Sequence, residues 1–152
     1  MNLDLKNKNA MICGATAGIG KATAMQLAAM GASITIVARN ENKLKATVAL
    51  LPTQDNQTHT YLVADFTNPA QLKEQVTAAA LKINYHILLN NTGGPKGGPI
   101  FSADTSEFIS AFSMHLECNQ ILVQALAPAM KQDGYGRIIN VISTSVKQPI
   151  DG

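Results

Sequence analysis

A chain of 152 residues with 46% hydrophobic content is long enough to close one packed core and too short for two ordinary domains, so residues 1–152 are expected to form a single domain. Twelve Lys and Arg against ten Asp and Glu leave a formal charge of +2 with no basic block, which disfavours nucleic acid and anionic membrane as partners. No run reaches the roughly 18 uninterrupted apolar residues of a membrane helix, the N-terminus has no signal-like apolar stretch, and Cys13 and Cys118 form neither a disulfide framework nor a metal-ligand spacing, so a reducing cytoplasmic setting without a metal is expected.

Short apolar runs alternate with longer helical segments, the pattern of a parallel sheet covered by helices on both faces. Strands are expected at 8–13, 33–38, 58–63, 85–90 and 137–142, with helices near 18–30, 41–51, 68–82 and 107–131. Gly31 stands where a helix ends through a left-handed residue, and Asn68-Pro69 reads as an N-cap followed by a first-turn proline. Along the last helix, Phe108, Phe112, Leu116, Val123, Leu126 and Met130 recur at three-, four- or seven-residue steps and are expected to form one core-facing stripe. The final strand, with Ile138, Ile139, Val141 and Ile142 apolar on both faces, reads as an interior strand. Ending the chain at Gly152 would leave that strand an exposed edge, so residues 1–152 are expected to be the N-terminal part of a longer polypeptide. The Gly/Pro-rich segment 93–99, GGPKGGP, follows a strand and suits either a surface turn or a ligand-facing loop.

The stretch CGATAGIGKATA, residues 13–24, carries the chemistry. Glycines in a strand-to-helix turn let the backbone bend tightly and approach a phosphate, while the helix N-terminus offers unpaired N–H groups and a positive dipole end. Gly14, Gly18 and Gly20 therefore suit a pyrophosphate, although a packed corner without ligand would also accept them. Their G-x-x-x-G-x-G spacing differs from the G-x-G-x-x-G of most dinucleotide folds. Cys13, beside the helix N-terminus, is either a thiol with a lowered pKa that is open to oxidation or a buried small residue.

Four segments in order give the chain its resemblance. LDLKNKNAMICGATAGIGKATA, LVADFT at 62–67, LLNNTGGP at 88–95 and GYGRIINVIS at 134–143 resemble the short-chain dehydrogenase/reductase family along the whole chain. The wording of NNTGGP and STSVKQPI further resembles a subgroup similar to 3-oxoacyl-[acyl-carrier-protein] reductases. The resemblance implies a Rossmann-type doubly wound α/β fold, three layers deep, here without its C-terminal strands and helices. It implies cofactor contacts at Gly14, Thr16, Gly18, Ile19 and Gly20, at Arg39 and Asn40 after the second strand, at Asp65 and Phe66 after the third, and at Asn91, Thr92 and Gly93 after the fourth. Cys13 stands where the family usually has Thr, and Thr92 where it usually has Ala. A homodimer or homotetramer is implied for the full-length protein.

Charge at the second strand's end bears on cofactor choice. An acid there would hold both ribose hydroxyls of NAD, whereas a 2′-phosphate needs a cation and no carboxylate. The sequence offers Val37-Ala38-Arg39-Asn40, and Arg39 can meet a phosphate with its planar fork, so NADP(H) is favoured over NAD(H). Glu41, two positions on, could partly neutralise it.

The resemblance further implies carbonyl reduction by hydride transfer, with a serine, a tyrosine, a lysine and an asparagine stabilising charge and relaying a proton. The serine maps to Ser143, with Thr144 and Ser145 as neighbours, and the asparagine position maps to His115. There an imidazole replaces an amide, as either a catalytic group or a packed interior residue, with Asn119 one turn away. The Tyr-x-x-x-Lys pair would follow Ser143 beyond the residues given, and Tyr61, Tyr85 and Tyr135 match none of the family's active-site positions. In the subgroup the tyrosine is itself expected to be often replaced. The expected function is NADP(H)-dependent reduction of a small-molecule carbonyl or acyl-thioester to an alcohol; the alternative is a catalytically degenerate relative that binds NADP(H) without turnover, as a cofactor sensor or interaction protein.

Overall fold

The computed structural model describes residues 3–54, 56–94 and 97–148. The strands are β1 (Asn9–Cys13), β2 (Ser33–Ala38), β3 (Thr60–Val63), β4 (Ile87–Asn90) and β5 (Arg137–Asn140). All pair in parallel, in the order β3-β2-β1-β4-β5. Between them run the helices α1 (Gly18–Ala29), α2 (Glu41–Val48), α3 (Pro69–Ala80), α4 (Thr105–Phe112) and α5 (Cys118–Gln132). The chain winds outward from β1 to β3, returns to the other side of β1 and continues to β5. The reversal at β1 and β4 opens a crevice beyond the strands' C-terminal ends, the usual ligand position of such a sheet.

The alternation of side chains along β1 explains why its sequence is apolar without interruption. Met11 and Cys13 pack with Val37 and Leu88 under Leu72 and Val76 of α3 and Leu122 and Leu126 of α5. Ala10 and Ile12 pack on the opposite face with Ile34, Ile36 and Leu89 under Ala24 and Ala28 of α1 and Leu44 of α2. Both faces are covered, so both registers of the strand must be apolar. Gly31 takes φ +98° after α1, as its helix-ending role requires. Asn68 accepts the Gln71 N–H and Pro69 opens α3.

The fourth strand begins at Ile87 rather than 85 and the fifth ends at Asn140 rather than 142; three further expectations need correction. The third strand begins at Thr60 rather than 58, because the N–H of Ile34 donates to Nδ1 of His59 at 3.2 Å and a side chain takes the place of ladder pairing there. The last helix is divided: a π-helical turn, Ser113–Glu117, separates α4 from α5. That turn inserts residues into the α-helical phase, so one stripe cannot run through both halves. Leu126 and Met130 are buried with Cys118 and Leu122, whereas Phe108, Phe112 and Leu116 are 55%, 64% and 57% exposed. The core stripe therefore belongs to α5, and α4 turns its aromatic face outward.

Among the described residues β5 ladders with β4 alone and forms the sheet edge, with all four of its residues exposed, where the apolar pattern of its sequence predicts an interior strand. Among the described residues no helix is long and apolar enough to cross a membrane.

Candidate functional site

The turn between β1 and α1 fixes the floor of the crevice. Gly14 has φ +60°, and a Cβ there would overlap the carbonyl oxygen of Asn91. Gly20 has ordinary helical geometry, but a Cβ would overlap the carbonyl of Gly14, so its requirement is closeness rather than conformation. Asn91 locks this corner from β4 by donating its amide to the carbonyls of Cys13 at 3.2 Å and Gly14 at 3.5 Å. The α1 N-cap, Ala17, provides no side-chain hydrogen bond, and no acid occupies the first turn. The first N–H groups of α1 thus remain available to an anion.

From this turn a cleft of about 460 Å³ runs across the ends of β1, β2 and β3. Gly14 and Thr16 line it after β1, Arg39, Asn40 and Lys43 after β2 and in the first turn of α2, and Val37, Ala38, Ala64 and Phe66 give it apolar wall. Thr92 and Gly93 border it from the loop after β4. Asp65 faces the cleft too, and its carboxylate accepts the Thr67 N–H at 2.9 Å. That bond, helped by the nearby charge of Arg39, holds its pKa below the usual carboxylate value against the opposing effect of burial. Asp65 is thus both a turn-former and a cleft residue.

A second cavity of about 750 Å³ adjoins the first, with Thr92 and Gly94 bordering both. Ile19, Asn91, His115, Asn119 and Ser143 line it. Nδ1 of His115 lies 2.8 Å from Oγ1 of Thr92, while its Nε2 is buried without a partner. Asn90, 2% exposed, donates to Oδ1 of Asn140 at 2.8 Å and leaves its own Oδ1 unpartnered. Among the described residues these are the two buried side-chain polar atoms without a hydrogen bond, and both belong to residues of this cavity. Unpaired buried polar atoms are costly, which fits a place where another group completes the hydrogen bonding.

Ser143 caps the 3-10 turn Thr144–Val146. Its Oγ accepts the Ser145 N–H at 3.1 Å and the Ser145 hydroxyl at 2.7 Å. A hydroxyl has two acceptor sites and one proton, so Ser143 keeps its O–H to donate.

The geometry thus gathers Gly14, Thr16, Arg39, Asn40, Asp65, Phe66, Thr92 and Gly93 on one cleft and Ile19, Asn91, His115 and Ser143 on the next. Gly18, left-handed at φ +53°, and Gly20 shape the turn behind them. Of the Gly/Pro-rich loop, Pro95 and Lys96 lie outside the described residues, as do Pro149 and Ile150 of the STSVKQPI segment. Cys13 is fully buried, and burial pushes its thiol up to about 12. That overturns the reactive-thiol reading: the desolvation of a thiolate there outweighs any help from the helix end. Lys43, Thr67 and Met114 join the cleft without having been singled out in the sequence. The one available signal for Lys43 was its position three residues after the N-cap Asn40, which accepts its N–H.

The short chain dehydrogenase family model matches residues 8–152. The chain is 33% identical over 141 residues to the 3-oxoacyl-[acyl-carrier-protein] reductase of Rickettsia bellii, covering 93% of this chain and 56% of that protein. It is 32% identical over 144 residues to an uncharacterised oxidoreductase of Mycobacterium tuberculosis, covering 92% and 54%. In three dimensions it is similar to the L-sorbose reductase of Gluconobacter frateurii, solved with NADPH and L-sorbose, at a TM-score of 0.90 and 26% identity, over 99% of this chain and 57% of that one. The chain spans little more than half the length of these relatives. With the parallel sheet, the glycine turn and a family match over nearly its whole length, this chain belongs to the short chain dehydrogenase family.

Proposed function

We propose that this chain forms the cofactor-binding part of an NADP(H)-dependent carbonyl reductase acting on a small ketone or 3-oxoacyl-thioester. The observation that carries the reading is the pair of adjoining cavities that share Thr92 and Gly94. The first is lined by Gly14 and Thr16 of the turn leading into α1, whose first turn carries no side-chain cap, and by Arg39, a donor set suited to a long anionic dinucleotide. The other offers hydrogen-bonding groups to a reacting carbonyl.

A reduced nicotinamide, when bound, supplies the hydride. The chain's own residues hold the turn, exclude water and stabilise charge. Ser143 directs its remaining O–H at a carbonyl oxygen, which becomes more negative as reduction proceeds. His115, held through Nδ1 by Thr92, leaves Nε2 to hold or pass a proton. Arg39 and the absence of an acid at the end of β2 favour the 2′-phosphorylated cofactor. The outward face of α4, with Phe108, Ile109 and Phe112 exposed, supports assembly into a homodimer or homotetramer.

The test, on the full-length protein, is a spectrophotometric assay of NADPH oxidation with 3-oxoacyl-thioesters and simple ketones, run beside NADPH titration by fluorescence. Binding with turnover supports the reductase. Binding without turnover on any carbonyl would replace it with a cofactor-binding protein, and no binding would dismiss both.

A further inference from the structure

Arg39 is the obvious cation of the cleft, but it does not act alone. It shares the cleft with Asp65, whose carboxylate feels its charge. A second carboxylate, Glu41, opens α2 immediately beyond Asn40, and would weaken any anion site formed there. The structure disposes of it. Oε1 of Glu41 lies 2.9 Å from Nζ of Lys45 and accepts the hydroxyl of Tyr61, from β3, at 3.0 Å. None of Glu41, Lys45 and Tyr61 lines the cleft, whereas Arg39, Asn40 and Lys43 do.

Helix geometry explains the partition. Residues four apart share a face, so Glu41 and Lys45 meet, while Lys43, two residues from Glu41, projects about 200° around the axis from it. Asn40 accepts the Lys43 N–H at 2.9 Å and fixes the first turn in this orientation. One rotation of α2 thus sets a lysine on the cleft and a glutamate against β3.

We propose that cofactor discrimination is set by this partition: Lys43 is the second cation at the 2′-phosphate position, and Tyr61 with Lys45 are positioning residues that hold Glu41 away from it. The proposal rests on the NADP(H) reading above and adds residues on which that reading does not depend. Lys43 contributes charge where Arg39 is partly offset by Asp65. Tyr61 contributes without touching the cleft, by giving Glu41 a neutral donor on the far side of the helix.

The test is the ratio of NADH to NADPH dissociation constants, measured by fluorescence titration on the protein and its variants. Lys43→Ala is expected to weaken NADPH about tenfold and leave NADH unchanged, as expected for loss of a charge-assisted contact to the one group that differs. Tyr61→Phe combined with Lys45→Ala is expected to narrow the ratio about threefold, and adding Glu41→Gln to that pair to restore it. Restoration separates release of the carboxylate from a general loosening of α2, which a third substitution would not repair. An unchanged ratio in Lys43→Ala, or a narrowed ratio that Glu41→Gln does not restore, would overturn the proposal while leaving nicotinamide binding intact. Failure of the unsubstituted protein to bind either nucleotide would instead remove the reading on which it rests, and the proposal with it.

Discussion

Oγ1 of Thr92 lies 2.8 Å from Nδ1 of His115, joining the loop after β4 to the π turn between α4 and α5. The threonine supplies the hydroxyl with which the imidazole pairs. π turns often mark functional positions in helices, and this one contains His115. If the pair serves proton transfer, His115→Ala lowers kcat/KM about 100-fold. His115→Asn, which keeps a hydrogen-bonding group but cannot pass a proton, is expected to retain only part of the activity. Thr92→Ala, which removes the hydroxyl that holds the ring, is expected to lower kcat/KM by less than His115→Ala. Unchanged kcat/KM in all of these proteins would assign His115 to packing alone.

Gly18 and Gly20 test two different constraints on the same turn. Gly20→Ala puts a methyl group into the Gly14 carbonyl, and is expected to cost about 1–3 kcal/mol and to weaken nucleotide binding, because the backbone itself must move. Gly18→Ala has open space around it and costs about 1–2 kcal/mol through its left-handed backbone. Urea denaturation and NADPH titration of both variants separate them: binding falls more for Gly20→Ala at equal loss of stability.

Stability is expected to depend on pH through His86. Its Nδ1 accepts the Asn9 N–H at 3.0 Å, so this nitrogen must be unprotonated. Burial, seconded by the charge of Lys8 and opposed by Asp133, lowers its folded pKa below the ordinary value of 6.5. The unfolded chain therefore takes up the proton first as pH falls. The contribution is complete above about pH 6.5 and is lost as pH drops from there through the folded pKa. Urea midpoints at pH 7.5 and 5 should fall in the unsubstituted protein and differ less in His86→Asn.

Cys13 is expected to resist thiol reagents in the folded state. Its burial and raised pKa leave almost no thiolate at pH 8, so labelling with a chromogenic disulfide should await unfolding. Rapid stoichiometric labelling of native protein, abolished by Cys13→Ser, would contradict the burial.

The divided helix gives opposite results on its two halves. Leu126→Ala should destabilise by about 2–5 kcal/mol, as a cavity in the core does. Phe108→Ser should change the stability of the isolated subunit by no more than about 0.5 kcal/mol. Sedimentation should instead show weaker self-association for Phe108→Ser, and unaltered sedimentation would remove α4 from any subunit interface.

Much of the fold was readable because its signals are local. The apolar runs Ala10–Cys13 of β1 and Ile87–Leu89 of β4, the left-handed Gly31 and the Asn68-Pro69 cap each state their geometry within a few residues. The π turn was not readable, because apolar spacing continues through 113–117 and gives no mark of an inserted residue. The glycine turn and Arg39 were found from residue type and position, but the fate of Glu41 depends on Tyr61 twenty residues away. Likewise the Asn90–Asn140 pair exists only because β4 and β5 lie side by side. Contacts made by topology carry no local trace.

The most direct measurement is a paired fluorescence titration of the protein with NADPH and with NADH at one ionic strength. NADPH is expected to bind at least about tenfold more tightly than NADH, a difference of about 1.4 kcal/mol, and Arg39→Ala to remove most of it. Equal affinities, a preference for NADH, or no binding of either would contradict the assignment of this cleft to NADP(H).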